Sequence, residues 1–225
     1  MKKITLLLSL CLGFLILSAN PVGAKENKES INAKSLSEIE DELVEKGVES
    51  EHIHNLAKKI KKGEKLDADK YLESDESKGV EIASQENPNQ RIEFGDGSFI
   101  ENSIEDITEE ENKNVFRPLG IEQIGGMNEH RILKISNTAA WGYESFKVEI
   151  DFPLIGYAKI LRAYDWYYLG AVSSVDYRGI YRASETASRD AVAMQKLQIG
   201  ISGISYLAKL EFRIKDGRYW TVYKA

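Results

Sequence analysis

Four carboxylates sit among the alternating segments of the C-terminal half: Glu144, Glu149, Asp151 and Glu211. Two carboxylates facing each other across a cleft can serve as the acid and base of a glycosidase, so an extracellular hydrolase is one reading of these residues. All but Glu144, however, alternate with apolar neighbours, which is the pattern of a wetted sheet face. Histidine is scarce, with only His52, His54 and His130 in the chain. His52 and His54 stand two apart on a predicted helix, so they diverge and cannot grip one ion as an i, i+4 pair does. They read as solvated surface residues. His130 opens a strand with no evident pairing of a carboxylate and a nucleophile. The single cysteine, Cys11, lies inside an N-terminal apolar run, and no Gly-x-Ser-x-Gly turn occurs. Asp67-Ala68-Asp69-Lys70-Tyr71 opens like a calcium loop, but Tyr71 stands where the third ligand belongs, Leu72 replaces the glycine and Lys78 the closing glutamate. No metal site and no cofactor are expected, and no catalytic constellation emerges.

The densest aromatic stretch is Tyr164-Asp165-Trp166-Tyr167-Tyr168. On a regular strand Tyr164, Trp166 and Tyr168 share one face, with Asp165 and Tyr167 opposite. Such rings suit stacking on a sugar or wedging into a headgroup layer, and they equally suit a core. Trp220 invites the same two readings. Tyr164, Trp166, Tyr168 and Trp220 are therefore the candidate binding residues.

The elements that carry these groups follow from periodicity. Ser35 with Glu38, or Ser37 with Glu40, makes a capping box, after which Leu36, Ile39, Leu43 and Val44 recur at helical spacing up to Gly47. A second helix starts at Ser50, carries Ile53, Leu56, Ala57 and Ile60, and stops at Gly63. Both are too short to stand alone in water, so their apolar stripes need a partner surface, either the β domain or another protein. Residues 64–90 read as an acidic linker. Arg91 to Phe94 and Ser98 to Ile100 flank a Gly-Asp-Gly turn as a small hairpin, followed by acidic surface and a glycine-rich loop up to 128.

Beyond Glu129 the strand signals crowd together: Arg131 to Ser136, Ser145 to Phe152, Tyr157 to Trp166, Val172 to Arg182, Val192 to Ile201 and the pair within Lys209 to Tyr223. In that last pair Leu210, Phe212 and Ile214 share a face, and Asp216-Gly217 supplies a type I′ turn. The predicted fold is α+β: a helical hairpin over 35–63, then a mainly antiparallel sandwich or barrel over 129–225. Val172 to Asp190 could be a pore-forming hairpin, but its apolar band is shorter than a bilayer-spanning strand needs. A soluble sheet fits it better.

Met1-Lys2-Lys3 and the apolar run Ile4 to Leu17, followed by Val22-Gly23-Ala24, read as a signal peptide over 1–24 with cleavage after Ala24. Leu10 before Cys11 argues against a lipoprotein. The mature chain is then free of cysteine and must rely on a packed core. Residues 25–34 read as a mobile leader. Formal charge is −6 overall and −8 after signal removal, but residues 25–114 hold −12 and residues 115–225 hold +4. All three Trp and ten of the eleven Tyr fall in the basic part. Nucleic acid is not an expected partner at this net charge.

The Lys2-Lys3 signal, Glu45-Lys46-Gly47-Val48, Glu51-His52-Ile53 and the closing Asp216-Gly217-Arg218-Tyr219 form an order of parts. That order resembles small exported proteins of Gram-positive bacteria grouped in families of unknown function. The resemblance implies secretion and a β-rich C-terminal domain, and it carries no catalytic residues. The expected function is a secreted, non-enzymatic binding or interaction protein, its partner a cell-envelope glycan, a lipid surface or a protein. A second expectation rests on the charge split: the acidic region covers the basic domain in a pro-form of an antibacterial or membrane-active product.

Overall fold

The computed structural model of the chain describes residues 34–74, 82–114, 129–170, 172–201 and 204–225. The signal segment, nearly all of the leader, residues 75–81 of the acidic stretch and the glycine-rich loop at 120–126 lie outside the described residues.

Alternation becomes strand wherever it is sustained. Among the described residues two five-stranded antiparallel sheets result, with a few helices. The first has the order β2-β3-β4-β5-β6 and comprises β2 (Asn89–Glu93), β3 (Phe99–Asp106), β4 (Glu129–Ala139), β5 (Gly142–Phe152) and β6 (Lys159–Gly170). The second has the order β1-β10-β9-β8-β7 and comprises β1 (Ala83–Ser84), β10 (Arg218–Lys224), β9 (Ile204–Lys215), β8 (Ala191–Ile201) and β7 (Val172–Arg182). Leu210, Phe212 and Ile214 are fully buried on the inner face of β9, as their period-two spacing requires. Facing them across the interior are Phe146, Val148 and Ile150 of β5 with Leu133 and Ile135 of β4, in one continuous core. Asp216 and Gly217 both carry positive φ, as a type I′ turn demands, and the turn sets Arg218 opposite Lys215.

The small hairpin at 91–100 is part of the first sheet, since β3 pairs with β4 from Ile100↔Ala139 to Asp106↔Leu133. Within the stretch read as a linker, Asp67–Glu73 forms a short helix and Ala83–Ser84 adds an edge strand to β10.

Helix α1 (Leu36–Glu45) begins with the Ser35–Glu38 box, and α2 (Ser50–Lys62) ends on the left-handed Gly63. Ile39, Leu43, Leu56, Ala57 and Ile60 bury their stripe against the sheets, together with Leu66 and Leu72 around α3 (Asp67–Glu73). Val44, expected on that stripe, points to solvent instead. The Lys46 amine donates to the carbonyls of Ala139 and Ala140 at 3.2 and 3.1 Å, fastening the end of α1 to the β4–β5 turn. A fourth helix, α4 (Thr108–Asn114), lies outside β4, where Thr108 Oγ1 accepts from Ile132 N at 2.9 Å.

Candidate functional site

The aromatic stretch of β6 is not a regular strand. Asp165 takes a φ of 52°, and the ladder with β5 slips between Ser145 and Lys147. A bulge inserts an extra residue and re-aims the side chains beyond it. Tyr164 consequently pairs with Lys147 on the outer face, whereas Tyr168 pairs with Glu144 on the inner one. The expectation that Tyr164, Trp166 and Tyr168 share a face is thereby corrected. Tyr164 sits beneath the Arg162 guanidinium, 4.6 Å from ring centre to Cζ. Trp166 stacks on Phe146 at 4.6 Å and joins the core, and Tyr168 is buried. Trp166 and Tyr168 are therefore packing residues.

Trp220 faces the other way. It pairs with Arg213 on one side and Ser84 on the other, on the outer face of the second sheet, and is half-buried. It lines an open groove of about 550 Å³ whose rim is formed by Gln85, Glu86, Lys215, Asp216 and Arg218. Two loops build that rim. Gln85 N donates to Tyr219 O at 3.0 Å and Ser84 N to Asn87 O at 2.9 Å, which folds the chain after β1 over β10. On the opposite side the buried Glu185 carboxylate accepts from Asp216 N at 2.7 Å and from Ala158 N at 2.9 Å. One carboxylate thus ties the β9–β10 turn to the start of β6. Lys215 donates to the carbonyls of Thr186 and Ala187, which holds its stem along the rim. The groove offers an aromatic face, two carboxylates that accept hydrogen bonds, and amide and guanidinium donors. Sequence reading singled out Trp220 but missed Gln85 and Glu86, since a two-residue strand leaves no periodic trace.

The four carboxylates weighed as acid and base do not converge. Glu149 and Asp151 lie on the outer face of the first sheet, Glu211 on the outer face of the second, and Glu144 between the sheets. Glu149 is bound by Arg162 at 2.8 Å and by His130 Nε2 at 2.8 Å, a pairing the sequence did not reveal. Glu144 is 1% exposed and accepts from Gln195 Nε2 at 2.7 Å. Burial pushes its carboxyl up to about 7, against the opposing pull of Gln195, Tyr223 and Arg178. A second buried chain links the sheets beside it, with Asn137 donating to Asn102 at 2.6 Å and Asn102 to Thr221 at 2.9 Å. Among the described residues, Glu49, Glu51 and His52 bring possible ligand atoms within 4.8 Å of one another, on an exposed helix start. Exposed acidic groups gather in this way without any ion, and no site is assigned there.

No protein family and no curated protein matches the chain. Among solved structures it is similar to a hypothetical protein from Listeria monocytogenes, at 16% identity and a TM-score of 0.34, over 63% of this chain and 99% of that one. Among the described residues, no helix is long and apolar enough to cross a membrane.

Proposed function

We propose that the protein is an exported, non-enzymatic binding protein, a β-sandwich carrying an N-terminal helical hairpin, whose ligand site is the Trp220 groove and whose ligand is a saccharide of the cell envelope. The observation that carries this reading is the position of Trp220, turned away from the core into an open groove with a mixed donor and acceptor rim. A sugar ring presents an apolar face that stacks on indole and an equatorial belt of hydroxyls that seeks such a rim. Isothermal titration of the purified protein with cell-wall polysaccharide tests it. Saturable binding is expected, weakened about 30-fold in Trp220→Ala, as for a central aromatic anchor. Binding that ignores this substitution rules the groove out.

One further observation favours a lipid surface as a second ligand. Leu154 and Ile155 in the β5–β6 loop are 75% and 90% exposed, Tyr157 and Leu161 follow, and Lys159 and Arg162 flank them. An exposed apolar tip with cationic flanks suits an anionic bilayer. Sedimentation with phosphatidylglycerol vesicles, lost in Leu154→Ser/Ile155→Ser, would support this reading. Failure of the wild type to sediment would remove it.

A further inference from the structure

The outer face of the second sheet carries an arrangement that costs stability. Across three adjacent strands, Lys196 of β8, Lys209 of β9 and Lys224 of β10 stand directly opposite one another in register. Like charges in such cross-strand positions repel. Neighbouring carboxylates pair with only one member of the row, Lys224. Glu211 is taken by Arg213 and, at 3.2 Å, by Lys224, and Asp190 is taken by Arg213 at 3.1 Å. Among the described residues, the amines of Lys196 and Lys209 have no carboxylate within ion-pair distance, and Lys196 rests 5.8 Å from the centre of the Tyr177 ring. Burial and the cations Lys224, Lys196 and Arg213 hold the Lys209 amine below its ordinary range, with Glu211 pulling the other way. Lys196 and Lys209 line an open depression of about 350 Å³ with Val192, Met194, Tyr181 and Arg182, together with the paired Asp190, Glu211 and Arg213.

We infer that this row is a binding site for a linear polymer bearing closely spaced phosphate groups. Adjacent strands are roughly 5 Å apart, so the three amines repeat at a spacing that successive anionic groups of one chain can follow, whereas a single phosphate reaches only one or two of them. The repulsion that destabilises the free protein becomes attraction once the polymer is seated. The site lies two cross-strand rungs from Trp220 on the same face and does not depend on the saccharide reading.

The test is binding of the full chain to long-chain inorganic polyphosphate, with inorganic phosphate and phosphatidylglycerol vesicles as separate arms, beside thermal melts of each variant. The wild type is expected to bind polyphosphate, to lose affinity steeply with added salt, and to bind inorganic phosphate far more weakly. Lys209→Met and Lys196→Met, which keep the apolar stem, should each weaken polyphosphate about tenfold or more. Lys209→Met should at the same time raise the melting temperature by about 2 °C, since it relieves repulsion. Trp220→Ala should leave polyphosphate affinity unchanged, which separates this site from the groove. Unaltered polyphosphate binding in both lysine variants would overturn the assignment. So would binding confined to the lipid vesicles, which would make the anion a headgroup instead of a polymer.

Discussion

Glu144 is the residue whose environment makes the sharpest demand on solution behaviour. Its carboxyl is stable in the fold as the neutral acid, because burial raises it from 4.5 to about 7. The folded protein therefore binds a proton that the unfolded chain releases between those values. This contribution to stability is complete below pH 4.5 and is lost as pH rises towards 7, a fall of roughly 3 kcal/mol if nothing else titrates. Glu144→Gln keeps the shape and removes the titration. It should melt higher than the wild type at pH 8 and close to it at pH 4.5, as thermal melts at the two values will show; identical pH profiles would place the acid elsewhere. Sequence alone marks Glu144 only as the carboxylate that broke the apolar alternation. Its partner Gln195 lies 51 positions away, and nothing local announces that they meet.

At the scale of elements, every long strand beyond Glu129 was legible, because sustained period-two alternation leaves one geometry that buries one face. The turn of the last hairpin was legible too, while the face on which Trp220 falls stayed open. A two-residue turn at Asp216-Gly217 sets Trp220 opposite Arg213, hence on the face away from Leu210, Phe212 and Ile214. Three features were not. The bulge at Asp165 depends on a backbone conformation that Asp tolerates but does not dictate, so the aromatic stretch looked regular when it is not. α3 is seven residues long and β1 two, too short for any period to show inside an acidic stretch. The β5–β6 loop reads as a simple break at Pro153 and Gly156, yet it presents Leu154 and Ile155 to solvent. Since neither side chain is packed, Leu154→Ser/Ile155→Ser should leave the melting temperature within about 1 °C of the wild type, consistent with the small effects of exposed substitutions. A larger drop would mean that the loop is structural.

Taken whole, the molecule joins its acidic and basic parts through apolar packing. Ile39, Leu43, Leu56, Ile60, Leu66 and Leu72 from the acidic part are buried in the same core as Leu133, Phe146 and Phe212 from the basic one. β1, β2 and β3 also complete the two sheets. A fragment of residues 115–225 would expose that interior and leave β4 and β10 as open edges. It should lack a cooperative melting transition, and a fragment that melts cooperatively and behaves like the full chain would contradict both this dependence and the idea of a removable cover. The central claim is that ligand meets Trp220 and not the core tryptophans. The chain has three Trp, of which Trp141 is buried and Trp166 stacks on Phe146, so its indole N–H signals in a two-dimensional NMR spectrum divide by environment. On titration with cell-wall polysaccharide, the one signal absent from Trp220→Phe should move while those of Trp141 and Trp166 stay. Three unmoved signals at saturating polysaccharide, or a shift confined to Trp166, would contradict it.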